Sequence, residues 1–243
     1  MSASILITGA SRGIGAAAAE RFLSEGWQVG LFARDADALA AVAGGRANAH
    51  VLPGDVTDAG AVEHAVKTLA GAAGRLDALF ANAGVLVPQQ PVDEIALDDW
   101  RHSVDVNLTG VFLAARAAFG QMRRQDPQGG RIVLNGSISA HVPREGAAPY
   151  TATKHAITGL TRQISLDGRP YSIACGQIDI GNARTEILDR LAQRAEAAGD
   201  PPPPTIEVEL VADAVFRMAC LPLHANVQWM TLMATQMPYI GRG

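Results

Sequence analysis

The fold of this chain is decided by the stretch TGASRGIG, residues 8–15. It follows a short β-branched run, Ser4–Thr8, and leads into a segment whose apolar residues recur at helical spacing. Gly9 permits a tight turn off the strand, Gly13 lets a pyrophosphate approach the backbone, and Gly15 lets the helix pack close to the sheet. The amino terminus of that helix offers N–H groups and a positive dipole end to phosphates. The stretch therefore predicts the phosphate-binding turn of a dinucleotide site, in the first strand–helix unit, where such a turn belongs.

Short β-branched runs alternate with longer helical patterns along the whole chain. Several runs are apolar almost throughout, which is typical of strands buried on both faces of a parallel sheet. The predicted strands are Ser4–Thr8, Gln28–Ala33, Ala49–Leu52, Ala78–Ala81, Arg131–Asn135, Ile173–Ile178 and Val227–Leu232. The predicted helices are Ile14–Ser24, Ala59–Ala73, Asp98–Arg124, Pro149–Leu166, Glu186–Ala198 and Val208–Cys220. This alternation predicts an α/β fold, a single Rossmann-type doubly wound domain over residues 1–243 with about seven parallel strands and helices on both faces.

Four consecutive prolines, Pro201–Pro204, stand between the last two helical patterns. Proline does not fit a helix interior, so this segment is predicted to be a stiff, extended connector. Two interpretations stay open for it, a surface loop and a hinge beside a lid over the substrate.

The composition favours a folded protein of the cytoplasm. The chain has 243 residues, 48% of them hydrophobic, and a net charge of −4, so neither disorder nor a basic nucleic-acid-binding surface is expected. No apolar run is long enough for a transmembrane helix, and the amino-terminal residues lack the features of a secretory signal. The two cysteines, Cys175 and Cys220, suit a reducing compartment, and neither they nor the six histidines show metal-ligand spacing. We therefore expect a cytoplasmic protein without a metal site.

A tyrosine and a lysine four residues apart, Tyr150 and Lys154, form the strongest chemical signal outside the glycine turn. Only two of the 20 lysine and arginine residues are lysines, so a lysine at this position needs a reason. Residues i and i+4 share one face of a helix, so both side chains are expected to point the same way. An ammonium beside a phenol favours the phenolate, and lysine supplies a compact point charge with rotatable donors. The pair therefore predicts a tyrosine that exchanges a proton with a carbonyl or alcohol oxygen.

With these motifs, the sequence resembles the short-chain dehydrogenase/reductase family, in its compact single-domain branch. The glycine turn and the tyrosine–lysine pair carry the resemblance, which can be followed over nearly the whole chain. Asp55 matches a family residue that contacts adenine, and Asn82, Ala83 and Gly84 match the family's turn after the fourth strand. The family usually has a second asparagine before that turn, where this chain has Ala81.

The resemblance implies four catalytic residues. Tyr150 is the expected general acid/base, and Lys154 is expected to assist it and to hold the nicotinamide ribose. Ser137 lies 13 residues before Tyr150 and is expected to orient the substrate oxygen, whereas Ser139 is the alternative that the spacing disfavours. Asn107 matches the family's helix asparagine, which implies a bound water that relays protons between Lys154 and solvent.

The resemblance also implies how the cofactor is bound. The family has a Pro-Gly pair after the sixth strand and a threonine four residues beyond the glycine; here Gly181 and Thr185 keep the spacing, while Ile180 replaces the proline. Thr185 is therefore expected to bind the nicotinamide carboxamide, in a pocket whose backbone is less rigid. The predicted cofactor-binding residues are Gly9, Ser11, Arg12, Gly13, Ile14, Gly15, Arg34, Asp55, Val56, Asn82, Ala83, Gly84, Tyr150, Lys154, Gly181 and Thr185.

The end of the second strand predicts which nicotinamide cofactor is preferred. NAD-preferring folds of this kind place an acid there to accept from the ribose 2′-hydroxyl, but the matching residue is Ala33, followed by Arg34. Arg12 lies in the glycine turn, and two guanidiniums suit a 2′-phosphate. Asp35 lies beyond the strand and is expected to cap the next helix. NADP(H) is therefore the predicted cofactor, with NAD(H) as the alternative.

The sequence leaves three functions open. The first is an NADP(H)-dependent oxidoreductase that interconverts a carbonyl and a secondary alcohol by hydride transfer. The second is a nucleotide-binding regulator without turnover, which has no need of the full set of Asn107, Ser137, Tyr150 and Lys154. The third is an epimerase or lyase, which the glycine spacing and the short carboxy-terminal region disfavour.

The expected partners follow from the leading function. The substrate is a small carbonyl or alcohol compound that the sequence does not identify, and neither a nucleic acid nor a membrane is expected as a partner. His141, Arg144 and Glu145 lie in the loop between Ser137 and Tyr150, where substrate contact and solvated surface are both open interpretations. The resemblance implies a homotetramer built from long helices and last strands.

Overall fold

Seven parallel strands form one sheet in the order β3-β2-β1-β4-β5-β6-β7. The computed structural model describes residues 2–185 and 201–240. The strands are β1 Ser4–Thr8, β2 Gln28–Ala33, β3 Ala49–Pro53, β4 Ala78–Ala81, β5 Gly130–Asn135, β6 Ile173–Ile180 and β7 Trp229–Leu232. The predicted α/β fold with a doubly wound parallel sheet is confirmed, and only the ends of some strands differ from the prediction.

Helices pack against both faces of this sheet. They are α1 Gly13–Ser24, α2 Ala36–Ala43, α3 Ala59–Ala73, α4 Leu97–Val104, α5 Val111–Arg124, α6 Ala148–Gly168 and α7 Val208–Cys220. Helix α2 is missing from the predicted helices, although its predicted cap is present, since the Asp35 carboxylate accepts from the Ala38 N–H at 3.0 Å. The predicted helix Glu186–Ala198 lies outside the described residues. None of the described helices is long and apolar enough to cross a membrane.

The predicted long helix Asp98–Arg124 is divided by a π-helical segment, Asp105–Gly110, which lies between α4 and α5. Segments of this kind are rare and are frequently found at functional sites. The segment contains Asn107, whose side chain is completely buried. The division therefore coincides with one of the predicted catalytic residues.

Two apolar cores lie on the two faces of the sheet. One core is formed with α3, α5 and α6, and the other with α1, α2 and α7. Alternate residues of a strand point to opposite faces, so Leu6 packs into the first core while Ile5 and Ile7 pack into the second. Strands β1 and β4 are buried along their whole length as a result, which explains why their sequences are almost entirely apolar.

The strand order reverses between β1 and β4. The chain runs outward from β1 to β3 on one side of this point and from β4 to β7 on the other. In open α/β sheets, ligands bind outside the carboxyl ends of the strands at such a switch point. The glycine turn after β1 and the Asn82 turn after β4 both lie at this crevice.

Candidate active site

The glycine turn after β1 adopts the backbone conformation that its glycines predict. Gly9 and Gly13 have φ angles of 68° and 54°, in the left-handed region that favours glycine. A Cβ at Gly15 would lie 2.1 Å from the Gly9 carbonyl oxygen, so only glycine lets α1 begin this close to the strand end. Ser11 and Ile14 are half-buried on the same turn, and Ile14 packs against the core beneath α1.

The start of α1 fits the phosphates of a dinucleotide. Arg12 stands at the N-cap position and its side chain makes no capping hydrogen bond, so the first N–H groups of the helix carry no side-chain cap. These groups and the positive dipole end of the helix favour an anion. A Cβ at Gly13 would meet Thr185 Cγ2 at 3.2 Å. The residue predicted to bind the carboxamide therefore lies against the predicted phosphate turn.

Arg34 and Asp55 lie at the carboxyl ends of β2 and β3, where the adenosine end of a cofactor is expected. Thr57 donates to Asp55 Oδ1 from its main-chain N–H and from its hydroxyl, both at 2.9 Å. The main-chain hydrogen bond contributes most to lowering the pKa of Asp55, with smaller contributions from the hydroxyl and from the charge of Arg34. Arg12 and Arg34 are both exposed, and Val56 is buried beside Asp55. The carboxyl ends of β2 and β3 therefore carry one guanidinium and one carboxylate.

A chain of hydrogen bonds joins the ends of β1, β4 and β5. Thr8 Oγ1 accepts from the main-chain N–H groups of Asn82 and Ala83, at 3.0 Å each. The Asn82 side chain donates to the Thr8 carbonyl at 3.0 Å and accepts from Asn135 Nδ2 at 2.9 Å. Lys154 Nζ donates to the Asn135 carbonyl at 2.7 Å. The predicted cofactor turn and the predicted catalytic lysine are therefore held in one network.

Tyr150 and Lys154 lie near the start of α6, one turn apart. Lys154 Nζ lies 5.5 Å from the centroid of the Tyr150 ring. Lys154 is only 4% exposed, whereas Tyr150 is half-buried. Burying an ammonium is costly unless its hydrogens find acceptors, and the Asn135 carbonyl takes one of the three. The other two donors of Lys154 form no hydrogen bond with the described residues.

The Asn107 side-chain amide forms hydrogen bonds that connect the segment after β4 to the π-helical segment. Its Oδ1 accepts from the Val85 N–H at 2.7 Å, and its Nδ2 donates to the Val85 carbonyl at 2.9 Å and to Ser103 Oγ at 3.2 Å. Gly84 is exposed and lies next to this pair, since a Cβ there would be 3.3 Å from Asn107 Oδ1. Both amide hydrogens are used, and Oδ1 accepts one hydrogen bond from the described residues out of the two that it can accept.

Ser137 lies just after β5, at the start of a short 3-10 turn. Its Oγ accepts from the Ser139 N–H at 3.1 Å, and its own N–H donates to Asp179 Oδ1 at 2.9 Å. Asp179 is buried in β6, where Oδ1 also accepts from Gln177 Nε2 at 2.6 Å and Oδ2 lies 2.8 Å from His141 Nε2. Ser139 is fully buried, and among the described residues its hydroxyl has no hydrogen-bond partner. Ser137 is therefore the serine that the strand ends hold in place.

Residues 3–196 match the family model for short chain dehydrogenases. The chain belongs to the short-chain dehydrogenase family. It is 32% identical to serine 3-dehydrogenase of Agrobacterium fabrum, over 99% of this chain and 97% of that protein. It is 31% identical to sulfoacetaldehyde reductase 2 of Chromohalobacter salexigens, over 97% of this chain and 96% of that protein. A solved structure of serine dehydrogenase in its closed form with NADP+ has a TM-score of 0.89 and 25% identity, covering 99% of this chain and 98% of that one.

As a short-chain dehydrogenase, the chain is an oxidoreductase that acts on an alcohol or carbonyl group with a nicotinamide cofactor. The residues predicted from the sequence lie on the segments that follow β1 to β6 or near the start of α1 and α6, except for Asn107 in the π-helical segment. Hydrogen bonds join three of the four predicted catalytic residues, Asn107, Ser137 and Lys154, to residues at or just beyond the strand ends. Tyr150 is positioned by α6, one turn before Lys154.

The short-chain dehydrogenase turn after β6 has Ile180 in the position of the family proline. Ile180 is the buried last residue of β6, and the Gly181 N–H donates to the Leu232 carbonyl at 2.9 Å. A Cβ at Gly181 would lie 2.7 Å from Met233 Cβ. This packing restrains the backbone at the place where the family has a proline ring.

Three polar residues that the sequence analysis did not select hold this short-chain dehydrogenase site together, namely Asn135, Asp179 and Asn182. Each stands at or just beyond the carboxyl end of an otherwise apolar strand, β5 or β6. A buried carboxylate or amide costs free energy unless it is hydrogen-bonded, so a polar residue in such a run indicates an organised strand end. The sequence contained this indication, a polar residue within an apolar run, most clearly at Asp179.

Replacing Asp179 with alanine is expected to lower the free energy of unfolding by about 2 kcal/mol, because the Ser137 N–H and the Gln177 amide would lose their buried acceptor. Urea denaturation followed by circular dichroism measures the change. Asp93→Ala, at an exposed position before α4, is the matched control and is expected to shift the same free energy by less than about 0.5 kcal/mol. Equal unfolding midpoints for the two variants would contradict the role given to Asp179.

Proposed function

We propose that this short-chain dehydrogenase interconverts a carbonyl compound and a secondary alcohol with NADP(H), and that Tyr150 is the general acid/base. The observation that carries the proposal is the position of the Lys154 ammonium. It is buried, bonded to the Asn135 carbonyl and 5.5 Å from the centre of the Tyr150 ring. A cation beside a phenol favours the phenolate, which is the form that accepts a proton from an alcohol.

Ser137 is the residue proposed to hold the substrate oxygen beside the Tyr150 hydroxyl. Its Oγ accepts a hydrogen bond from the Ser139 N–H, and its own hydrogen can then be donated to the carbonyl oxygen of a substrate. Its main chain is anchored by Asp179, which limits the movement of the hydroxyl. A fixed donor at the reacting oxygen stabilises the charge that develops there.

Lys154 and Asn107 are proposed to return the proton to Tyr150. The two donors of Lys154 that Asn135 does not use can bind the nicotinamide ribose and the Tyr150 oxygen. The remaining acceptor position on Asn107 Oδ1 can hold the water of the relay. When bound, the nicotinamide supplies hydride to, or takes it from, the carbon that bears the substrate oxygen.

The function is tested by a screen for NADPH oxidation against ketones, quinones, keto esters and acyl thioesters. The expected result is steady oxidation with at least one of these classes, with an alcohol as the product. Tight NADPH binding without turnover of any class would instead favour a nucleotide-binding regulator.

We also propose a homotetramer assembled through α5, α6 and β7. Phe112 on α5 and Leu166 on α6 are large apolar side chains that are about half exposed. Residues of these two helices and of α3 also line a groove of about 430 Å³. In the described sheet β7 pairs only with β6, so its other edge is open to pairing.

Light scattering at micromolar protein is expected to give four times the chain mass of 25.4 kDa. A mass of one chain would rule out this assembly.

A further inference from the structure

A loop with two basic side chains borders the proposed active site. This basic loop, residues 141–147, connects the turn after β5 with the first residue of α6. Both basic side chains are bonded to residues at the carboxyl end of β6. His141 Nε2 lies 2.8 Å from Asp179 Oδ2, and Arg144 Nη2 donates to Asn182 Oδ1 at 2.9 Å. The basic loop is therefore fastened across the strand end that also anchors the proposed catalytic serine.

The charge of Asp179 is not available to Arg144. Its Oδ1 accepts from the Ser137 N–H and from Gln177 Nε2, its Oδ2 is bonded to His141, and its side chain is 1% exposed. Within residues 2–185 and 201–240, Arg144 forms no ion pair with a carboxylate. The guanidinium is therefore not neutralised by a bonded carboxylate, and the adjacent Glu145 is exposed and forms no ion pair within the same residues.

Arg144 also keeps most of its hydrogen-bond donors. A guanidinium has five N–H donors, and the bond to the neutral Asn182 amide uses one of them. Asn182 is itself held in place, because its Nδ2 donates to the Pro204 carbonyl at 3.2 Å and its carbonyl accepts from the Ile206 N–H at 2.8 Å. Parallel N–H donors on a positioned guanidinium match the oxygens of a planar or tetrahedral anion.

We propose that Arg144 binds an anionic group of the substrate, a carboxylate or a sulfonate. The same strand end holds both groups, since Ser137 is bonded to Asp179 and Arg144 to Asn182, three residues later. Three residues of chain span at most about 10 Å. The two anchoring residues are therefore close together, which suits a small substrate that carries its anionic group and the reacting carbonyl on one short chain. The inference rests on the proposed function and specifies small hydroxy acids and oxo acids as its substrate class.

The test compares acetoacetate with its neutral methyl ester as substrates for NADPH-dependent reduction. The wild-type protein is expected to prefer acetoacetate in kcat/KM. Arg144→Gln is expected to lower the ratio of acetoacetate to ester by about 10- to 100-fold, mainly through the KM of acetoacetate, and Arg144→Lys by less. Arg169→Gln is the matched control, because Arg169 is exposed before the amino end of β6, and it should leave the ratio unchanged.

A binding measurement separates this inference from the proposed function. Calorimetry with the NADPH-saturated protein gives the affinity for isobutyrate, with neutral isobutyramide as the reference ligand. Isobutyrate is expected to bind Arg144→Gln at least about 10-fold more weakly than wild type. Arg144-dependent isobutyrate binding without reduction of either keto compound would support the anion site and count against the proposed function. Equal isobutyrate affinity in wild type and Arg144→Gln would overturn the inference, even where the methyl ester is reduced.

Discussion

Replacing Tyr150 with phenylalanine is expected to lower kcat on a verified substrate by about 10²–10⁴-fold, the usual contribution of general acid–base catalysis. The substitution removes only the hydroxyl that exchanges the proton. The ring keeps its place at the start of α6, with the Lys154 ammonium beside it. The fold and the affinity for NADPH should therefore be kept. Steady-state kinetics, circular dichroism and a fluorescence titration with NADPH measure the three quantities.

Tyr171→Phe provides the matched control for this experiment. Tyr171 lies before the amino end of β6, where its ring contacts Phe119 with centroids 6.1 Å apart. It lies at the opposite end of the sheet from the proposed catalytic residues, so loss of its hydroxyl should leave kcat unchanged. A Tyr150→Phe enzyme with near-wild-type kcat would show that another group moves the proton.

The second large effect is expected at the adenosine end of the site. Arg34→Ala should weaken NADPH binding by about 10- to 150-fold, because a charge-assisted bond to the 2′-phosphate is lost. NADH lacks that phosphate, so its affinity should change far less. The side chain of Ala33, at the end of β2, cannot accept from a ribose 2′-hydroxyl, so NADH has no compensating bond there. Fluorescence titrations of both cofactors measure the preference.

Arg46→Ala is the control for the Arg34 experiment. Arg46 is an exposed arginine before β3 whose guanidinium pairs with Glu20, away from the strand ends that face the crevice. Its removal should change neither cofactor affinity. Wild-type protein that binds NADH as tightly as NADPH would refute the assignment of Arg12 and Arg34 to the 2′-phosphate.

The parts of this molecule that local patterns determine were predictable from the sequence. The turn in residues 8–15 needs positive φ angles and a very close helix start, and glycine alone supplies both at Gly9, Gly13 and Gly15. The strands are recognisable because both faces of the sheet are covered by apolar cores. Tyr150 and Lys154 are one helical turn apart, so their proximity follows from the helix itself.

Pairings between distant segments were not predictable from local patterns. The π-helical segment at Asn107 leaves the apolar residues of the predicted helix near their helical spacing, so the pattern does not reveal it. The bonds between Asn107 and Val85 join residues 22 positions apart, and the contact between His141 and Asp179 joins residues 38 positions apart. Only the folded sheet brings these segments together. The hydrogen bonds that orient Ser137 and Arg144 are therefore apparent only from the structure.

The fate of the hydrogen at C4 of the nicotinamide tests the central claim most directly. The protein is incubated with NADPH that carries deuterium at both C4 positions and with the ketones and keto esters of the screen, and the products are analysed by mass spectrometry. Hydride transfer predicts an alcohol that carries deuterium on the carbon bearing the oxygen, formed by wild-type protein and almost absent with Tyr150→Phe. NADPH that binds tightly while every carbonyl compound stays unlabelled would contradict the proposed oxidoreductase.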